Sequence, residues 1–155
     1  MEVSITGDDE LARALKLTGA KLVEALGDAV NETALGVETS AKKNLRDNGT
    51  TAFNRLATSI GSHAVDDVTV DVKASTEYAE AVEFGAAPHW APIGPLLAWA
   101  RKKLGDESAA YAVQHKIAEQ GTPAQPYMTP AREEHAAKHR DTLIKHARRV
   151  TGSDG

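Results

Sequence analysis

The chain has 155 residues, of which 41% are hydrophobic, 26% charged and 5% aromatic; its formal net charge is −4 and it contains no cysteine. That length suits one domain with a core of its own, expected over residues 1–150, with a disordered tail at 151–155. The missing thiols exclude a disulfide framework, a cysteine nucleophile and thiolate metal sites, and the acidic balance gives no global positive field for nucleic acid or an anionic membrane.

The first residues, MEVSITGDDE, lack the basic start and apolar centre of a secretion signal, and no apolar run approaches a membrane span. A soluble protein made inside the cell is therefore expected. Val3 and Ile5 alternate with Ser4 and Thr6, a short edge strand at best, and Asp8 or Asp9 can cap a helix. A helical period then runs from about Glu10 to Leu45, with Leu11, Leu15, Leu22, Leu26, Val30, Val37 and Leu45 on or near one face. Gly19, Gly27 and Gly36 interrupt it, each costing about 1 kcal/mol against alanine, so a bent helix or a pair of helices competes with one rod. The opposite face, including Glu32, Glu38 and Lys42, is expected to be wet.

Asp47-Asn48-Gly49 stops the helix, and Thr50 to Asn54 reads as loop. Leu56, Thr58 and Ile60 alternate, as do Val68, Val70 and Val72, which predicts two antiparallel strands joined around Asp66-Asp67. Their β-branched residues should face a core and Thr69, Asp71 and Lys73 water. Leu96 to Leu104 suggests a short helix, Ala109 to Glu119 another capped by Ser108, and Pro130 suits the first turn of a charged final helix reaching about Arg149.

The stretch Tyr78–Trp90, YAEAVEFGAAPHW, combines an amphipathic run, two carboxylates, a glycine stop and a proline-stiffened loop. It reads as a contact surface, with an ordinary helix end and loop as the plainer alternative. Reactive chemistry finds little support. His135 and His139 share a helix face, but Ala136 breaks the HExxH pattern and a solvated face is the better reading. Ser59 and Ser62 lie near His63 without a nucleophile elbow. Glu80 and Glu83 are too close in sequence to resemble a glycosidase pair drawn from separate elements. No phosphate-cradling glycine loop is present. The basic clusters Arg101–Lys103 and Lys145–Arg149 carry the case for nucleic acid, but acidic neighbours and the total charge oppose it.

Three features occur in one order: Arg55-Leu56-Ala57-Thr58-Ser59-Ile60, then Tyr78…Val82-Glu83-Phe84-Gly85, then Ala124-Gln125-Pro126-Tyr127-Met128-Thr129-Pro130-Ala131 before a terminal helix. Together they resemble the tail-completion, or head–tail joining, family of long-tailed double-stranded DNA phages, which includes the minor tail protein Z group. The resemblance spans residues 37–150. It departs from the family at Thr50–Asn54, where a Pro…Thr-Gly turn is usual, at Ala86 in place of threonine, and at Tyr127 in place of phenylalanine. Residues 93–120 look like a helical insertion.

The resemblance implies an α+β fold: a long N-terminal helix, a short antiparallel sheet, and C-terminal helices packed on it. It implies a non-enzymatic virion protein without cofactor or metal, assembled in the host cytoplasm and placed in the neck. Its partners would be further copies in a homo-oligomeric ring, commonly a hexamer, the tail tube or terminator proteins, and the head connector or head-closure protein. DNA would cross the lumen without specific binding, and no membrane would be involved. Tyr78, Glu80, Glu83, Phe84, Trp90, Tyr127 and Met128 are the expected subunit or partner interface, with Glu80 and Glu83 facing the lumen or a neighbouring subunit. The alternative is a small cytoplasmic helical adaptor that binds nucleic acid through its basic C-terminal helix.

Overall fold

A computed structural model describes residues 8–48 and 54–152, with side chains from residues 16 and 55 onward in those two stretches. The expected strand at Val3 and Ile5 and most of the expected loop at Thr50 to Asn54 lie outside the described residues. So do the helix-capping side chains of Asp8 and Asp9 and the tail beyond Gly152.

The spine is α1, Asp8–Asp47, a single helix of 40 residues that runs through all three glycines. Two of those glycines serve close packing. A Cβ on Gly27 would stand 2.5 Å from the Asp67 carbonyl oxygen, and one on Gly36 would stand 2.4 Å from the His135 ring. The buried stripe consists mostly of alanine (Ala25, Ala29, Ala34, Ala41) and ends at Leu45. Leu22, expected on that stripe, is exposed. Small residues let other backbones approach the helix, so the contact follows side-chain size more than hydrophobicity.

The six residues Asn54–Ser59 form α2, where the alternation of Leu56, Thr58 and Ile60 predicted a strand. Leu56 and Ile60 are four apart as well as alternate, so a helical turn carrying Leu56 into the strand start at Ile60 buries both. The hydroxyls of Thr58 and Ser59 donate to carbonyls three residues back, at 3.1 and 2.8 Å. The sheet is β1, Ile60–Asp66, antiparallel to β2, Thr69–Ala74. Its turn falls at the expected place, and the Asp66 carboxylate accepts the Val68 amide there at 2.9 Å. A register shift between Ala64 and Asp66 leaves Val65 exposed, as an extra residue in one strand does. Val68 belongs to the turn and is also exposed, against the expectation that it faces the core, while Asp71 is half-buried, against the expectation that it faces water.

A two-stranded sheet is marginal by itself. This one lies along α1: Ser62 donates to Glu38 at 2.8 Å, so Glu38 is part of the contact and not of a wet face. After α3 (Ala79–Phe84), α4 (Ile93–Leu104) and α5 (Ala109–Gln120) pack chiefly on each other as a helical pair. Ser108 precedes α5 without a side-chain cap; its own amide and hydroxyl donate to Asp106, both at 2.8 Å.

Finally α6, Met128–Thr151, runs back along α1, reaching Thr151, a residue expected in the tail. His135 meets Ser40 at 3.0 Å, His139 meets Thr33 at 2.8 Å, and His146 meets Glu32 at 2.7 Å. The expected solvated face of His135 and His139 is therefore the seam with α1. The Thr33 hydroxyl donates to the Ala29 carbonyl, which leaves His139 Nδ1 as the donor to Thr33. The fold is α+β, with its core (Ala41, Leu45, Leu56, Ile60, Ala79, Tyr127, Ala131) where α1, the β-hairpin and the start of α6 meet.

Candidate interface and its anchoring carboxylate

The first turn of a helix leaves backbone N–H groups without partners. At α6 the residue before the helix is Tyr127, which makes no side-chain cap. Glu83 supplies one from α3. Its Oε2 accepts the amides of Tyr127 and Met128 and its Oε1 that of Thr129, all at 2.8 Å. Burial pushes this carboxyl up, but the Thr129 hydroxyl and the three amides outweigh it, so Glu83 sits below the usual carboxylate range. The negative charge also complements the positive end of α6.

The backbone reinforces this clasp. Gln125 donates to the Val82 carbonyl at 2.8 Å, and Ala86 and Thr122 exchange amide bonds at 3.0 and 2.9 Å. Gly85 and Gly121 flank that bridge at φ 76° and 73°. A Cβ on Gly121 would stand 2.0 Å from the Ala86 carbonyl oxygen, so only glycine fits both the turn and the approach. From α1, Asn44 Nδ2 donates to the Tyr127 carbonyl at 3.0 Å. The Tyr127 phenol is pushed up to about 12, first by burial and then by the Glu83 charge.

The expected interface residues therefore divide. Glu83 and Tyr127 are enclosed at 5% and 2% exposure, and their side chains are committed within the chain. Glu83 does not face a lumen in this fold. Tyr78 and Met128 are half-buried against the core. Glu80 is exposed, and one turn later Phe84 is 74% exposed. Trp90 is 65% exposed, its ring held edge-on to His115 at 5.2 Å. Phe84 and Trp90 thus lie on either side of Ala86 in sequence, beside its bridge to Thr122, and leave large apolar surfaces open, the residue types that anchor protein contacts. No local signal marks Glu83 as a cap, since its partners lie more than forty residues later; the one available hint is the poor capping residue at Tyr127.

Of the C-terminal basic cluster, Lys145 pairs with Glu32 at 2.9 Å and His146 is buried, which leaves Arg148 and Arg149 exposed. Among the described residues no group of three or more metal-ligating side chains occurs, and no helix is long and apolar enough to cross a membrane. No protein-family model, curated protein or solved structure matches the chain.

Proposed function

We propose that the chain is a structural ring subunit at the head–tail junction of a long-tailed double-stranded DNA phage, completing the tail and joining it to the head connector. One observation carries this reading. The two later segments that resemble the tail-completion family are a single structural device, because Glu83 of the first caps the helix opened by the second. The earlier one, Arg55–Ile60, contributes Leu56 and Ile60 to the same core. Segments far apart in sequence thus act as one unit, and Phe84 and Trp90 project beside it as contact groups. The work of such a subunit is geometric and needs no catalytic group.

Gold-labelled antibody against the chain, applied to intact particles of the source phage, tests the proposal by electron microscopy. Label at the head–tail junction is expected. Label at the distal tip, or on no particle, overturns it.

A further inference from the structure

The β-hairpin and α6 both lie on α1, and between them is a cleft of about 460 Å³. Its floor is Val30, Ala34 and Val37 of α1; one wall is Val68 of the turn with β2 from Thr69 to Val72, the other α6 at Met128 and Arg132. Among the described residues β2 pairs only with β1, so the strand edge along this cleft has unused N–H and C=O groups. An apolar trough beside an open strand edge fits an extended segment whose alternate side chains point down.

We infer that this cleft receives the Val3-Ser4-Ile5-Thr6 segment of a second copy of the chain, added as a strand to β2. The segment alternates apolar with polar residues, as one buried face requires. It cannot come from the same copy. Between Asp8 and Val30 the helix rises about 33 Å, whereas an extended chain from Asp8 back to Val3 reaches about 18 Å. Charge agrees: Glu2 precedes the segment, and Arg132 on the cleft wall makes no ion pair among the described residues.

The free end of α1 supplies the arm. Every described residue from Lys16 to Glu24 is exposed, including Leu17 at 60% and Val23 at 44%. The end of α6, at Arg149 and Val150, shares a shallow pocket with Lys21 and Glu24 of this part of α1. A lone helical stretch of this length is marginal in water, so it gains most from lying on a neighbour. Arm into cleft is a head-to-tail contact between unlike surfaces, the kind that closes into rings or runs into filaments. The inference deepens the ring-subunit reading and rests on it for the expectation that copies meet.

The cysteine-free chain permits a direct test. Full-length Ile5→Cys and Val70→Cys variants are mixed under mild oxidation and run on non-reducing gels. Circular dichroism checks that each is folded, and light scattering measures association of the parent chain. A covalent dimer formed only in the mixture, with association lost in Val3→Asp/Ile5→Asp, is expected. Association without the mixed cross-link overturns the inference but leaves the ring reading to the antibody labelling. A parent chain that stays monomeric at high concentration also overturns it, as does a cross-link within one copy of an Ile5→Cys/Val70→Cys double variant.

Discussion

From Ala25 to Leu45, α1 is pressed between a β-hairpin and an antiparallel helix; from Lys16 to Glu24 every described side chain stays exposed. The bare half is not more polar where it matters, since Leu17, Leu22 and Val23 are all exposed there. What distinguishes the packed half is that its contact stripe is alanine and glycine, narrow enough for the Asp67 backbone and the His135 ring to reach the helix. The seam is then finished by polar groups: Glu38 with Ser62, Thr33 with His139, Glu32 with His146. A helix can therefore carry larger apolar residues outside its own core while small ones make the contact.

The largest expected effect comes from unfastening α6, which would make the packed half resemble the bare one. Glu83→Ala removes three charge-assisted bonds to buried or half-buried amides, and the loss is expected to be about 3 kcal/mol or more. Urea unfolding measures it. The neighbouring Phe84→Ser, at a side chain 74% exposed, should move stability by less than about 0.5 kcal/mol. Equal effects at the two positions would mean that the clasp does not hold α6.

Glycines sharpen the comparison with a change of sign. Gly27→Ala forces a Cβ to within 2.5 Å of a backbone carbonyl on the β-hairpin turn. Overpacking of about 1–3 kcal/mol should exceed the gain of about 1 kcal/mol in helix propensity, a net destabilisation. At Gly19 a Cβ would meet nothing within 4 Å. There the same substitution keeps only the propensity gain and should stabilise by about 0.5–1 kcal/mol. Thermal midpoints that fall for both variants would show that the arm is packed after all.

Much of this architecture was legible in the sequence, and the misses have physical causes. The period of α1 and the turn at Asp66-Asp67 were plain because each is local. The three glycines looked like breaks because propensity counts their cost and cannot see what packs against them. Leu56 and Ile60 satisfy both the strand and the helix period, so only their burial decides between them. The histidines of α6 read as wet because a seam built on alanine, glycine and side-chain hydrogen bonds has no apolar stripe to reveal it. Glu83 looks from its stretch like a contact group and is buried instead, since a cap delivered across the fold leaves no mark on its neighbours.

The smallest effect concerns the charge that ties the far end of the packed half. Hydrogen bonds from His146 first and Lys145 second hold the Glu32 carboxyl down at about 2. A carboxyl depressed in the folded chain stabilises it fully above its ordinary value of 4.5, and the contribution fades as pH falls from there toward about 2. The side chain is half exposed, so salt should weaken the effect as well. The urea midpoints of the parent and of Glu32→Gln should therefore differ at neutral pH and converge on acidification. The gap should also narrow as salt is added at constant pH. A gap that persists through both changes would place the role of Glu32 in packing against α6 and not in its charge.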